Sequence, residues 1–527
     1  MVKRVVVIGA GPSGMSTVRA LKLAGDQDLP GGKDVEVICY EKQPTWGGMW
    51  NFTWRTGLDE SGEPVHNSMY HHLWINAPKE NLEFYDYPYD KHFGQPVPSY
   101  VPRVIMWDYL TSRMAEAGIH HLFRFNHPVQ YVTFDESTKQ FHVTVRDTKN
   151  DRVFTDTCDY VVVASSHFSY PNVPDFPGFD TFPGRIIHSH DFRESQVFKG
   201  RNVLTIGNGY SAEDIASLTW KFGAKSVIVS YHSKAFGHKW PEGIEERPTL
   251  ARMEGTKAIF KDGSVKEDVD DIILCSGYLH NFPFLEPSLR LKTKNRFWPD
   301  GLYKSIVFEG NHQLFYMGMQ NKVYAYPLFD CMAYYIRDLV LGRASIPHEE
   351  ERKAHFAKWR AQEEQCANLH DFNKLQSDYM RELMVETDYP KRSCLEGQVE
   401  NVHGWLRSKE EGGIMNFRDN AFRSAVTGTM AATHDVKWVD TRDDSSMVKY
   451  MRDCAGRPAL HSCCAYLMRI LTCGECCGKH DRKVFDSEMA FEKHSGKDHV
   501  PCVKRDCHDH HHDHNSIVQN GVHHNGH

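Results

Sequence analysis

The sequence of 527 residues lacks long apolar runs. No window approaches the ~18 apolar residues that a membrane-spanning helix requires, and the first apolar stretch, residues 5–8, is too short for a signal peptide. A broad basic stripe is also lacking, and the net charge is −7, so nothing favours a nucleic acid as a partner. These absences predict a soluble, cytoplasmic protein without a membrane segment.

The cysteines do not form a disulfide framework. Eight of the 14 cysteines crowd into residues 451–527, and the other six are scattered over the first 450 residues without regular spacing. In a reducing compartment we expect those six to be small, buried apolar side chains. They are Cys39, Cys158, Cys275, Cys331, Cys366 and Cys394.

A glycine turn follows the first predicted strand, residues 5–8. It reads Gly9-Ala10-Gly11-Pro12-Ser13-Gly14, and a predicted helix (15–24) and a second strand (35–40) come after it. The first glycine permits a tight turn, the second lets the backbone approach a pyrophosphate, and the third lets the helix contact the strand. Glu41 ends the second strand, where a carboxylate can bind a ribose hydroxyl. The pattern predicts a dinucleotide site; the alternative is a glycine turn without a ligand.

A second turn of this kind lies between a predicted strand (202–206) and a predicted helix (213–222). It reads Gly207-Asn208-Gly209-Tyr210-Ser211-Ala212, and the fingerprint tolerates alanine in the third position. The following strand, residues 226–231, leads into His232-Ser233-Lys234 and carries no carboxylate that would repel a 2′-phosphate. This favours NADPH over NADH, unless the two basic residues are only a solvated strand end.

Two dinucleotide turns in one chain predict a flavin that receives hydride from a nicotinamide. The candidates are disulfide reductases, amine oxidases with a second domain, and flavin monooxygenases. A disulfide reductase needs a redox-active cysteine pair just after its first dinucleotide unit, and Cys39 stands alone there. That class is excluded, and the expected cofactors are FAD and NADPH.

The segment between the two turns resembles a known family. Phe182-x-Gly184-x-x-x-His188-x-x-x-Phe192 is similar to the fingerprint F-x-G-x-x-x-H-x-x-x-Y/F of flavin-containing monooxygenases. The run Glu41-Lys42-Gln43, followed by Gly47-Gly48-Met49-Trp50, resembles the flavin-contacting segment of that family. The resemblance extends from residue 1 to about residue 443. It is closest to the trimethylamine monooxygenase branch found in bacteria.

The resemblance implies an α/β fold with two doubly wound dinucleotide-binding domains, the NADP domain being inserted into the FAD domain. Residues 1–170 and 300–450 would form the FAD domain, and residues 171–299 the NADP domain. The implied activity is N-oxygenation of small tertiary amines such as trimethylamine. It uses NADPH and O2 and proceeds through a flavin C4a-hydroperoxide. Sulfides are included as further substrates, and the bacterial branch implies a homodimer.

The resemblance also implies roles for single residues. Asn76 matches an asparagine beside the flavin ring and the nicotinamide ribose, and Tyr210 an aromatic residue near the flavin. Without the family, Asn76 would be interpreted as a turn residue and Tyr210 as packing. Trp405 matches a tryptophan near the substrate pocket. The implied FAD contacts include Trp50, His66, Val129 and Gln320, and the implied NADP contacts Trp74, Ser211, Ser233 and Arg418. A guanidinium can hold a phosphate bidentately; the alternative for Arg418 is a surface salt bridge.

The chain departs from the bacterial branch at two places. His232 stands where that branch carries an arginine, so the preference for NADPH is less strict. Residues 324–327 also differ, near the expected flavin, so the substrate range can differ from trimethylamine. The alternative activities are Baeyer–Villiger oxygenation, whose family fingerprint contains a tryptophan that is lacking after Phe182, and NADPH oxidation.

Residues 451–527 are rich in Cys, His, Asp and Lys. Cys473-x-x-Cys476, followed by His494 and His499, offers the ligand types of a zinc site, but the gap between the two pairs is longer than in a zinc finger. Little apolar sequence is present to form a core, which favours a flexible extension. Metal binding by this tail, and a metal-handling protein as another class, are left open; no metal ligands are assigned elsewhere.

Overall fold

The computed structural model describes residues 2–390 and 393–455 of the chain. The helices in this part are α1 (Pro12–Asp26), α2 (Tyr89–Phe93), α3 (Arg103–Glu116), α4 (Tyr210–Lys221), α5 (Tyr326–Leu341), α6 (Glu349–Gln365), α7 (Leu369–Glu386), α8 (Cys394–Gly412) and α9 (Ser445–Ala455). The strands are β1 (Lys3–Ile8), β2 (Val35–Glu41), β3 (Phe123–Phe125), β4 (Val129–Asp135), β5 (Gln140–Asp147), β6 (Arg152–Cys158), β7 (Tyr160–Val163), β8 (Tyr170–Pro171), β9 (Arg185–His188), β10 (Asn202–Ile206), β11 (Ser226–Ser230), β12 (Ile244–Arg247), β13 (Leu250–Glu254), β14 (Lys257–Phe260), β15 (Val265–Lys266), β16 (Asp271–Leu274), β17 (Tyr278–Leu279), β18 (Leu302–Tyr303), β19 (Val307–Phe308) and β20 (Leu314–Tyr316).

The first sheet has seven strands in the order β18-β19-β20-β7-β1-β2-β3. The five strands from β20 to β3 are parallel, and Val5 in the central strand β1 pairs with Val37 on one side and Tyr160 on the other. Val5, Val6 and Val7 are fully buried, as expected for a parallel strand covered on both faces. Strand β2 lies on one side of β1 and strand β7 on the other, so the strand order reverses at β1. In open α/β sheets, ligands bind at the carboxyl ends of the strands where the order reverses.

The second sheet repeats this plan with five parallel strands in the order β12-β11-β10-β16-β9. Its central strand, β10, precedes the second glycine turn just as β1 precedes the first. In sequence its strands fall between β7 and β18, which both belong to the first sheet. The predicted α/β fold with two doubly wound units is confirmed; the domain boundaries remain a prediction.

Three antiparallel sheets, which the sequence analysis did not predict, accompany the two parallel ones. They are β4-β5-β6, β13-β14-β15 and the short pair β8-β17. The pair β8-β17 joins the chain just before the second sheet to the chain just after it. No helix in the described part of the chain is long and apolar enough to cross a membrane.

The charged stretch of residues 348–386 forms two helices, α6 and α7. The break is explained by Asn368, whose side chain accepts hydrogen bonds from the backbone N–H groups of His370 and Asp371 and so caps α7. The expectation of burial holds for four of the six scattered cysteines and is wrong for Cys366 and Cys394, which are half-buried. The Cys/His-rich tail lies outside the described residues, apart from the end of α9.

Candidate cofactor and active site

The first glycine turn is shaped by close backbone contacts. A Cβ atom on Gly14 would lie 1.9 Å from the Gly9 carbonyl oxygen, so α1 can approach the turn only with glycine there. At Gly11 a Cβ would have only Gly48 Cα nearby, at 3.7 Å, so this stretch of backbone is open to a ligand. Helix α1 begins at Pro12, and no described side chain caps it. Its first N–H groups are therefore directed at the position that a pyrophosphate would occupy.

The predicted flavin-contacting segment packs against this turn. The Gly47 N–H donates to the Ala10 carbonyl oxygen (2.9 Å). Gly48 has a φ of +58°, and a Cβ on it would lie 2.7 Å from Gly11 Cα. The side-chain amide of Gln43 donates to the Gly48 carbonyl oxygen (3.3 Å). The two segments thus form the walls of one cradle.

Glu41 is buried at the carboxyl end of β2. Its carboxylate accepts hydrogen bonds from the backbone N–H groups of Ala10 (2.6 Å) and Gln43 (2.8 Å), and burial raises its pKa. A carboxylate has about four lone-pair sites, so two remain for a ribose hydroxyl. Glu41 therefore both shapes the cradle and lies where the sequence predicted a ribose ligand.

The second turn is built like the first, and its second glycine, Gly209, is more open than Gly11. A Cβ on Gly207 would lie 2.2 Å from the Cys275 carbonyl oxygen, whereas a Cβ on Gly209 would meet no described atom within 4 Å. Helix α4 begins at Tyr210, and no described side chain caps it. The side-chain amide of Asn208 donates to the Lys234 carbonyl oxygen (3.1 Å), which holds the exposed segment His232-Ser233-Lys234 beside the turn. This segment therefore presents basic side chains next to the second cradle.

Two of the buried polar atoms without a hydrogen-bond partner belong to predicted site residues. Among the described residues, Gln320 Oε1 is fully buried without a hydrogen-bond partner, and so is the indole nitrogen of Trp405. Gln320 follows β20, whose carboxyl end lies at the same edge of the first sheet as the first glycine turn. Buried polar atoms without a partner are costly, so a cofactor that satisfies them stabilises the site. Together with the two cradles, these atoms fit an FAD at the first turn and an NADP at the second.

Four further residues predicted to contact FAD are Met49, Trp50, His66 and Val129. The Met49 carbonyl accepts from the Asn67 amide (2.7 Å), and the Trp50 ring lies edge-on to Tyr326 with ring centroids 6.3 Å apart. Burial lowers the pKa of His66 well below its usual range, so its imidazole is neutral. Val129 is half-buried at the start of β4.

The residues predicted near the reaction centre fall into two groups. The rings of Tyr210 and Trp405 are stacked, with centroids 6.3 Å apart and an interplanar angle of 29°. The ammonium of Lys409 lies 5.3 Å from the Tyr210 centroid and 5.2 Å from that of Trp405. Asn76 is half-buried, and its side-chain amide has no hydrogen-bond partner among the described residues. The structure therefore joins residues 210 and 405, which the sequence singled out separately, and leaves the Asn76 amide available.

Two predicted NADP contacts have protein partners of their own. Arg418 is 2% exposed and forms an ion pair with Asp214, so the alternative of a surface salt bridge is wrong. Its Nε also donates to the Ile75 carbonyl oxygen (3.3 Å), next to Asn76. The Trp74 indole donates to Asp444 (3.2 Å). The phosphate role of Arg418 stays a prediction, since its guanidinium already neutralises a carboxylate.

Sequence reasoning missed the acidic residues of α4 and their partners. Glu213 is paired with Lys409, and Asp214 with Arg418 and the hydroxyl of Tyr70. These three partners lie more than 140 positions away along the chain, so no local spacing points to them. The second oxygen of Glu213 lies 3.2 Å from His238 Nε2, which is nearer in the sequence. The local signal was an acidic pair near the start of a helix that follows a phosphate-type turn.

Three side chains of the family fingerprint, those of Phe182, His188 and Phe192, are buried. Phe182 is fully buried, and a Cβ on Gly184 would lie 2.2 Å from the Asp270 carbonyl oxygen. His188 ends β9, and burial, with a smaller contribution from His190, lowers its pKa to about 4. The Phe192 ring contacts Tyr70 edge-on with centroids 5.2 Å apart. These contacts fasten the second sheet to the chain that precedes Asn76.

Two doubly wound units, each with an uncapped helix behind an open glycine turn, define a two-dinucleotide flavoenzyme. The family model of flavin-binding monooxygenase-like proteins matches residues 2–237 and 242–388. The trimethylamine monooxygenase of Methylocella silvestris is 48% identical over 442 residues, which cover 84% of this chain and 97% of that protein. The trimethylamine monooxygenase of Roseovarius nubinhibens is 46% identical over 454 residues, which cover 86% of this chain and 100% of that protein.

Among solved structures, Tmm from Pelagibacter sp. strain HTCC7211 is similar with a TM-score of 0.81 and 42% identity, covering 85% of this chain and 100% of that one. The chain belongs to the flavin-binding monooxygenase-like family. The prediction of a flavin monooxygenase with FAD and NADPH as its cofactors is confirmed.

Proposed function

We propose that this protein N-oxygenates small tertiary amines such as trimethylamine, with sulfides as further substrates. The overall reaction converts amine, O2, NADPH and a proton into amine oxide, NADP⁺ and water. Five relatives that are 43–48% identical over 84–86% of this chain are named trimethylamine monooxygenases. Relatedness of this extent over nearly the whole length of those proteins supports the same class of substrate.

The observation that carries the proposal is the stacked pair of Tyr210 and Trp405. Tyr210 belongs to the turn that would hold NADPH, and Trp405 to α8, which comes from the part of the chain after the first sheet. Their rings form an aromatic wall at the junction of the two units, with the Lys409 ammonium 5.3 Å and 5.2 Å from the two ring centroids. Such a wall suits the methyl groups of a small amine and excludes water from the reaction centre.

The first turn, with Glu41 and Gln320, would hold FAD, which would supply electron transfer and O2 activation together with NADPH. The residues of the chain position the reactants. The amide of Asn76 can donate one hydrogen bond and accept another, so it suits the reacting oxygen and a ribose hydroxyl. Helix α4 directs its N–H groups toward the pyrophosphate of NADPH, and Lys234 lies on the side where a 2′-phosphate would bind. No nucleophile from the protein is needed.

The test is oxygenation of trimethylamine by the flavin-loaded protein under ¹⁸O2, with NADPH consumption measured in parallel. The proposal requires one labelled N-oxide for each NADPH that is oxidised. Hydrogen peroxide without N-oxide would make the protein an NADPH oxidase, and ester formation from cyclic ketones would support the Baeyer–Villiger alternative; either result would refute the proposal.

Variants of Trp405 test the aromatic wall separately. Trp405→Leu should raise KM for the amine about tenfold, because it removes a ring from the wall, while KM for NADPH should change little. Trp405→Phe keeps a ring that can stack on Tyr210 and should restore most of the affinity. Equal KM values for the amine in both variants would remove Trp405 from the substrate pocket.

A further inference from the structure

A cluster of two histidines and a glutamate lies where the two units meet, away from both glycine turns. His71 and His72 follow β2, and Glu194 follows β9 of the second sheet. One ligand atom from each of the three residues can be chosen so that all three atoms lie within 4.8 Å of one another. Within the described ranges, 2–390 and 393–455, this is the one group of three such residues close enough to hold a metal ion.

We propose that His71, His72 and Glu194 form a binding site for a divalent transition metal, with Zn²⁺ as its fitting occupant. Two imidazoles and a carboxylate are ligand types that Zn²⁺ accepts, whereas Mg²⁺ and Ca²⁺ prefer oxygen ligands alone.

The spacing of the ligand atoms agrees with a tetrahedral ion. His71 Nδ1 lies 2.9 Å from one oxygen of Glu194, and His72 Nε2 lies 3.9 Å from the other. In a tetrahedral complex with bonds of about 2.0–2.2 Å, neighbouring ligand atoms are roughly 3.3–3.5 Å apart. The first distance is shorter than that value and the second is longer, and the two are measured to different oxygens of Glu194, so small side-chain rotations would bring the ligand atoms around one ion. The 3.9 Å separation is too long for a hydrogen bond, and an ion between the two atoms would satisfy both.

The backbone holds the three residues in place before any ion binds. The His71 N–H donates to the Arg193 carbonyl oxygen (2.8 Å), which joins the two ligand-bearing segments directly. Arg103 Nε donates to the carbonyl oxygens of Tyr70 (3.2 Å) and His71 (3.3 Å). The ring of His72 is stacked on Phe222 with centroids 4.5 Å apart. A site held in this way loses little conformational entropy when the ion binds.

A fourth ligand and an access path are provided by Gln196. Its Nε2 lies 3.5 Å from His72 Nε2, and a half-turn of the amide places Oε1 there instead. The residue is exposed, so an ion can reach the site from solvent. The bound ion would tie the chain before Asn76 to the chain after β9 and fix the two units relative to each other.

The experiment compares metal content in four full-length, flavin-loaded proteins: wild type, His72→Gln, Glu194→Gln and His121→Gln. His121 is an exposed histidine and serves as the control. Each protein is saturated with Zn²⁺, dialysed, and analysed for bound metal. The Cys/His-rich tail is present in all four, so its contribution cancels. Wild type and His121→Gln should retain one more ion per chain than the other two.

Co²⁺ substitution identifies the ligands. The ion lost in the variants should show d–d bands without a thiolate-to-cobalt charge-transfer band, because the proposed site contains no cysteine. Zn²⁺ should also raise the thermal midpoint of the wild type but not that of Glu194→Gln, which serves if His72→Gln does not fold. Equal metal content in all four proteins, or a lost ion with thiolate bands, would overturn the proposal.

Discussion

Asp214, the fifth residue of α4, offers the sharpest test of how the two units are joined. Its carboxylate is 93% buried at the side chain, with Arg418, which is 2% exposed, on one oxygen and the Tyr70 hydroxyl on the other. The replacement Asp214→Ala leaves the Arg418 guanidinium buried without a counter-charge. Breaking a buried pair in this way costs about 3–5 kcal/mol. The Tyr70 hydroxyl loses its acceptor as well, which adds about 1 kcal/mol.

The assay is urea unfolding of the flavin-loaded protein, followed by tryptophan fluorescence. The double variant Asp214→Ala/Arg418→Met removes both charges and should be more stable than Asp214→Ala alone, because no unpaired charge remains buried. The control is Glu254→Ala, which breaks a pair with Arg252 whose two side chains are 52% and 50% exposed. Its unfolding midpoint should not move. If Asp214→Ala unfolds like wild type, or if the double variant is the least stable, the buried pair does not join the units as argued.

Three further predictions concern the two cradles and one buried acid. Gly48→Ala should abolish tight FAD binding, because the added Cβ would lie 2.7 Å from Gly11 Cα; flavin per chain after gel filtration measures the loss. Gly57→Ala, whose Cβ would have no atom within 4 Å, should retain flavin. Lys234→Gln should raise KM for NADPH about fivefold and leave that for NADH unchanged, while Lys225→Gln, at the other end of β11, should change neither. Glu83, whose pKa burial raises to about 7, binds a proton more readily when folded, so folding stability should fall by up to about 3 kcal/mol between pH 4.5 and 7. Glu83→Gln should flatten that dependence in urea unfolding at each pH; an unchanged slope would contradict the shift.

The elements nearest the cofactors could be predicted from sequence because their signals are local. Strand β10 was predicted with its observed bounds, since it is an apolar run that ends at Gly207. Helix α4 begins at Tyr210, three residues earlier than the predicted start at 213. The backbone is extended at Gly209 and helical from the next residue onward. Periodicity does not report this, since Tyr210 and Ser211 belong to the turn motif and to the helix at once.

The contacts that join distant parts of the chain could not be predicted in this way. His71 and Glu194 are 123 positions apart, and Glu213 and Lys409 are 196 apart. Each pair is created by the insertion of one doubly wound unit into the other, and hydrophobic patterns carry no information about which loops then meet. A charged residue in an apolar context, such as Asp214 beside Ile215, is the only trace that such a partner leaves in the sequence.

The charges around α4 give a physical reason for the inserted topology. Two carboxylates, Glu213 at the end of the first turn and Asp214 directly after it, lie in a helix whose N-terminus faces the proposed pyrophosphate position, and unpaired they would repel it. Each is buried beside one cation from the last part of the chain, Lys409 for Glu213 and Arg418 for Asp214. The two pairs cancel the negative charge, so the helix dipole and its free N–H groups can attract phosphate. The carboxylates beside the second cradle are therefore neutralised only when the part of the chain that follows the inserted unit, including α8, packs against it.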